Sequence, residues 1–150
     1  MSVTFEDIQI GQRWESTGRT LTEADLTIAC MTSGDWHPIH ADAEFSKESL
    51  GGQRIFHGTY GLHVAIALAA KYPDLGSHVI GALGFSDWRF KAPLFVGDTV
   101  HVQVEIATKR PTATAGRGLV ERRITLKKGD GSVVQEGVAL MLARCGVDGS

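Results

Sequence analysis

Hydrophobic residues alternate most regularly in the C-terminal half of the chain. Over 99–107, Val100, Val102, Val104 and Ile106 fall on one face, and His101, Gln103 and Glu105 on the other. A period of two predicts a strand with one buried face. An apolar, aromatic-rich run over 79–90 predicts another strand. Two more, 119–126 and 133–143, flank Gly129-Asp130-Gly131, a hairpin signal. Pro93 and Gly97-Asp98 mark the turn before the strand at Thr99.

The N-terminal half carries the helical period. Thr22 is placed to cap a helix, Asp25 to supply the acidic half of a capping box, and Leu21 and Leu26 to form the staple. Ala24, Ile28 and Met31 share one face of that helix, which is expected to stop near Ser33-Gly34. A loop follows over 35–40, in which Pro38 drives His37 to an extended conformation. A short helical stretch over 41–49 and a break at Gly51-Gly52 come next. The second main helix is expected from His57-Gly58 to Tyr72, ended by Pro73. Leu62, Val64, Ala65, Ile66, Leu68, Ala69 and Ala70 cover nearly its whole circumference, which predicts burial on every side. A helix of that kind, followed by long antiparallel strands, predicts an α+β fold: a curled antiparallel sheet wrapped around a long buried central helix.

Composition narrows the functional classes. The 150 residues suit one domain spanning the chain, and 43% hydrophobic with 21% charged residues is ordinary for a globular protein. The formal net charge is −2, and basic residues cluster only in short pairs such as Arg122-Arg123 and Lys127-Lys128. No basic stripe is present for nucleic acid or for an anionic membrane, so neither partner is expected. The two cysteines, Cys30 and Cys145, form no CxxC pair or disulfide framework and read as small buried hydrophobes. The N-terminus is polar and acidic, unlike a signal peptide, and no apolar run approaches membrane-spanning length. A reducing cytoplasm is the expected location.

The densest chemical signal is Ser33-Gly34-Asp35-Trp36-His37-Pro38-Ile39-His40. A carboxylate and an imidazole held by Pro38 can share one water and exchange protons with it near neutral pH. The second signal is Ile55-Phe56-His57-Gly58, which puts a glycine N–H at the positive end of the central helix. Such a donor stabilises a carbonyl oxygen that gains charge, typically by about 3–4 kcal/mol. An acid/base pair with an oxyanion donor meets the needs of hydrating an α,β-unsaturated carbonyl compound.

Gly34-Asp35-x-x-Pro38-x-His40 resembles the hydratase-2 signature of MaoC-like dehydratases and (R)-specific enoyl-CoA hydratases. Ile55-Phe56-His57-Gly58 resembles their second motif, and the stretch from Phe90 to Val100 is similar to their strand-turn-strand segment. The resemblance implies a hot-dog fold and reversible addition of water to a 2-enoyl thioester, giving an (R)-3-hydroxyacyl product. It implies that Asp35 and His40 handle the water and that Gly58 N–H polarises the thioester carbonyl. Coenzyme A or an acyl carrier protein would carry the substrate, with no cofactor and no metal. A homodimer or higher homo-oligomer is expected, since family members pair sheet edges. One departure is His37, where the family commonly has Asn.

Plainer readings stand beside these. Asp35 could simply cap the turn before Pro38. His37, His40 and Asp42 or His57 could be read as metal ligands, although the spacing is not HExxH. His57 reads as a structural residue before the helix. Trp36 and Tyr60 suit either the acyl pocket or the core. Lys47, Arg54, Arg89 and Lys91 suit coenzyme A phosphates or surface solvation. Competing functions are a hot-dog acyl-CoA thioesterase and a non-catalytic acyl-thioester binding subunit. The absence of Asp or Glu between Gly58 and Tyr72 counts against the thioesterase.

Overall fold

The computed structural model describes residues 3–146. Strands β1 (Arg13–Glu15) and β2 (Arg19–Thr20) precede helix α1 (Glu23–Ser33). Short helices α2 (Pro38–Ala41) and α3 (Ala43–Ser46) then lead to helix α4 (Gly58–Ala69). The long strands β3 (Val79–Phe90), β4 (Thr99–Pro111), β5 (Arg117–Lys128) and β6 (Val133–Arg144) complete the order. They form one antiparallel sheet in the order β1-β4-β5-β6-β3, with β2 also on β4. The sheet does not close on itself: β3 is an outer strand. No helix among the described residues is long and apolar enough to cross a membrane.

The alternation over β4 has the predicted consequence. Val100, Val102, Val104 and Ile106 are all 0% exposed. Val100, Val102 and Val104 meet Val64, Ala65 and Ala69 of α4 and Ile124 and Leu126 of β5 in the main core, which also takes Leu21 and Leu26. A second cluster continues the core with Phe5, Ile8, Leu75, Ile106, Val120 and Met141. The antiparallel sheet packed on a central helix is therefore present.

Several local expectations are corrected. Helix α4 is buried only along the stripe Gly61, Val64, Ala65 and Ala69; Leu62, Ile66 and Leu68 are half-buried, and His63 and Ala67 are exposed. The sheet covers one side of the helix through β4 and β5. The helix also ends at Ala69 rather than Tyr72: beyond it the backbone tightens to bonds between residues three apart, Ala70 N–H to the Ala67 carbonyl and Tyr72 N–H to the Ala69 carbonyl, where buried Arg122 of β5 joins. Its Nη1 donates to the carbonyls of Ala69 and Tyr72 at 3.0 Å each. On α1 the buried stripe is Asp25, Leu26, Ala29 and Cys30, whereas Ile28 and Met31 are 52% and 66% exposed. The loop over 35–40 turns helical at Pro38, and the stretch over 41–49 is interrupted at Asp42, which caps α3 through Glu44 and Phe45 N–H. Cys30 is buried as expected, but Cys145 only partly so.

The α1 cap is formed as anticipated, with an addition. Thr22 and Asp25 exchange both capping-box bonds. The same carboxylate, buried, also accepts from Tyr60 Oη of α4 and from Arg19 Nη2, each at 2.7 Å. Burial pushes the Asp25 carboxyl up, but the Tyr60 hydroxyl, the Thr22 bonds and Arg19 together hold it below its ordinary 3.8. Asp25 therefore ties α1 to α4 and to the N-terminal strand. Its stabilisation is complete above about pH 3.8 and is lost as pH falls through the lower folded value. Asp25→Ala is expected to lower the unfolding free energy by about 2–3 kcal/mol in urea denaturation at neutral pH. That deficit relative to wild type is expected to shrink on acidification.

Candidate active site

Two chain segments converge. The first leaves α1 at Gly34, whose φ of 72° is a left-handed cap with its N–H bonded to the Cys30 carbonyl. Asp35 follows, its N–H donating to Ser33 Oγ at 3.1 Å and its Oδ1 accepting from His37 N–H at 3.1 Å. The turn-capping role considered for Asp35 is thus real, but it uses Oδ1 and leaves Oδ2 free to face His40. Pro38 opens α2 as its first residue, a position suited to proline. His37 has φ −51° and ψ 139°, the extended form imposed by Pro38, and its Nδ1 accepts from Ile39 N–H at 3.2 Å. An asparagine side chain would fill the same capping role, so the departure at His37 preserves the function of the position. Helix α2 then carries His40 inward, where it is 9% exposed.

The second segment runs from Ile55 to Gly58 into α4. The Ile55 carbonyl accepts from His40 Nδ1 at 2.7 Å. A carbonyl only accepts, so Nδ1 carries the hydrogen, and in the neutral ring Nε2 presents a lone pair. Nε2 lies 3.6 Å from Asp35 Oδ2, too far for a good direct hydrogen bond but close enough for both to contact one water. The Asp35 side chain is 53% exposed, so that water has access from solvent. The His37 N–H bond holds the Asp35 carboxyl below its usual range against slight desolvation, aided by the nearby His40 and His57 rings. Asp35 is therefore ionised at neutral pH and able to accept a proton.

His57, expected as a structural residue before the helix, packs directly against the pair. It is 6% exposed, its ring stacks on His40 with centroids 3.7 Å apart, and its Nε2 lies 2.8 Å from the Asp35 carbonyl. A histidine next to a glycine at a helix start carried no signal for this stacking. Gln135 is a residue that the sequence pattern did not single out. It is 2% exposed, accepts from Trp88 Nε1 at 2.9 Å and donates through Nε2 to the Gly58 carbonyl at 2.9 Å. Gly58 itself is a place of close approach: a Cβ there would fall 2.4 Å from the Phe90 ring. No side chain caps this helix start, which leaves its first N–H groups to other partners.

Two cavities meet at His57. One of about 430 Å³ is lined by Ile28, Thr32, Thr59, Tyr60 and His63 among others. The other, about 250 Å³, is lined by Leu50, Ile55, Gly58, Phe90, Lys91 and Gln135 among others. Tyr60 thus borders a cavity while its hydroxyl serves Asp25, and Trp36 is exposed and lines neither. Of the basic residues considered for phosphates, Lys47, Arg54 and Lys91 pair with Glu44, Glu23 and Glu136, and Arg89 is exposed on β3. Asp35, His40 and His57 could each offer a metal one ligand atom, all within 4.8 Å. His57 Nε2 is already engaged by the Asp35 carbonyl, however, so a cation drawing on that nitrogen would have to break the bond. His37 and Asp42 spend their side chains on helix caps.

The family model "MaoC like domain" matches residues 7–127. Protein MaoC of Klebsiella aerogenes is 36% identical over 119 residues, 79% of this chain and 34% of that protein, so this chain spans about a third of its length. The 3-hydroxybutyryl-CoA dehydratase of Methylorubrum extorquens is 32% identical over 139 residues, 91% of this chain and 82% of that one. A solved structure named as a monoamine oxidase regulatory protein of Archaeoglobus fulgius superposes with a TM-score of 0.89 at 30% identity, covering 97% of both chains. The architecture is the hot-dog fold. The chain belongs to the MaoC-like family of hydratases and dehydratases, which are hydro-lyases.

Proposed function

We propose that this protein adds water reversibly to a 2-enoyl thioester, giving a 3-hydroxyacyl thioester of R configuration. The observation that carries the reading is the 3.6 Å gap between Asp35 Oδ2 and the lone pair of His40 Nε2. A water in that gap donates one hydrogen to each acceptor and turns its own lone pair toward C3 of the substrate. As the oxygen adds to C3, one acceptor takes a proton, and negative charge moves to the thioester oxygen. Gly58 N–H receives that oxygen at the positive end of α4. The enolate collapses by taking a proton at C2 from the Asp35–His40 pair. The atoms of water end on C3 and C2, and reversal is dehydration. Asp35 and His40 act as one coupled unit.

The two cavities on either side of His57 give room for an acyl group and for the arm of its carrier, coenzyme A or an acyl carrier protein. The reaction as written needs no cofactor and no metal. The free thiols of Cys30 and Cys145 fit a reducing cytoplasm. Helix α4 carries no Asp or Glu, which disfavours a thioesterase.

The expected assay result is loss of the enoyl absorbance when crotonyl-CoA is mixed with the protein. Asp35→Asn and His40→Ala are each expected to reduce that rate about 100- to 10,000-fold. Release of free thiol without hydration would replace the proposal with thioester hydrolysis, and neither signal across several enoyl thioesters would favour a binding subunit.

A second copy of this chain is proposed to cover β3. That strand is an unpaired outer edge bearing exposed Val79, Ile80, Leu83, Phe85 and Phe90, and an uncovered apolar edge invites pairing. Light scattering after size exclusion is expected to give at least a dimer for wild type. Ile80→Lys with Leu83→Lys is expected to give monomer. A monomeric wild type contradicts the assembly.

A further inference from the structure

His57 contacts both members of the water-handling pair, by different means. Its Nε2 faces the Asp35 carbonyl at 2.8 Å, so this nitrogen carries the hydrogen and donates it. Its ring lies flat on that of His40, 3.7 Å away and tilted by 21°. Its other nitrogen, Nδ1, is buried and has no hydrogen-bond partner among the described residues. A phenylalanine would fill the same volume without burying an unpartnered nitrogen. What it could not supply is a donor for the Asp35 carbonyl.

We infer that His57 is a positioning residue: it sets the distance between the Asp35 carboxylate and the His40 imidazole and takes no proton in the reaction. The Nε2–H bond anchors the main chain of Asp35, and the stacked face holds His40 against rotation about its bond to the Ile55 carbonyl. Neither nitrogen is left to meet a substrate, although the ring borders both cavities, since one is bonded and the other buried. The inference rests on the reading of Asp35 and His40 given above. It adds that a change of about 1 Å in their separation costs on the order of 100-fold in rate.

The test compares His57→Phe, His57→Gln and wild type in crotonyl-CoA hydration, with Asp35→Asn and His40→Ala alongside. His57→Phe keeps the flat ring and loses the donor. It is expected to retain the circular dichroism of wild type and a KM within about twofold, with kcat lowered about 10- to 100-fold. His57→Gln returns an N–H near the Asp35 carbonyl and is expected to recover kcat to within about fivefold of wild type. Wild-type kcat in His57→Phe, no recovery in His57→Gln, or a loss confined to KM would overturn the inference. Side-chain ¹⁵N NMR of the wild-type protein supplies a readout independent of variant folding. It is expected to show His57 protonated at Nε2 and bare at Nδ1, and the opposite tautomer would overturn the inference too. If Asp35→Asn and His40→Ala remain active, the reading of the pair itself fails, whatever the His57 variants do.

Discussion

Two imidazole-to-carbonyl bonds hold this site together. His40 reaches across to the Ile55 carbonyl, and His57 reaches back to the Asp35 carbonyl. The two segments are stitched in both directions, with the rings stacked between the stitches. Each bond also selects a tautomer. His40 spends Nδ1–H on the main chain, which leaves Nε2 bare on the side facing Asp35. In the opposite tautomer the nitrogen nearest Asp35 would carry the hydrogen and have no lone pair for water, and Nδ1 would face the Ile55 carbonyl with nothing to donate.

The fold supplies the two segments at a fixed spacing. Helix α1 ends at Gly34 because its cap is left-handed, and this brings Asp35 out at the helix end. Helix α4 starts at Gly58 and is seated on β4 and β5 by a small-residue stripe that lets helix and sheet approach closely. Asp25 joins the two helices through Tyr60. On the other side, the Trp88–Gln135 pair binds the Gly58 carbonyl and fixes the start of α4 against β6 and β3. The site is assembled on helix ends, yet those ends are anchored to the sheet by buried polar bonds, and such bonds are costly to leave unmade.

Much of this was legible in the chain, and the parts that were not have physical reasons. The β4 alternation from Val100 to Ile106 announced itself because one face of that strand is fully buried. The α1 cap could be read from Thr22 and Asp25 because capping is local chemistry. The buried face of α1 was misassigned because Asp25 sits inside it, and a carboxylate reads as solvent-facing until Tyr60 and Arg19 come near. Strands β1 and β2 went unseen: pieces as short as Arg13–Glu15 and Arg19–Thr20 leave no period to detect, and they exist only because β4 offers an edge. Asp35, His40 and Gly58 stood out through motif and helix position. His57 and Gln135 act through contacts between distant segments, and a linear pattern does not encode those.

Hydration at this site depends on one oxygen atom shared by two acceptors. A crystal structure with a bound 3-hydroxyacyl thioester tests it most directly, since the product hydroxyl marks where the attacking water stood. That hydroxyl is expected within about 3 Å of both Asp35 Oδ2 and His40 Nε2, with the thioester oxygen turned to Gly58 N–H. A hydroxyl bound away from either acceptor, or a thioester oxygen facing away from the α4 start, would contradict it.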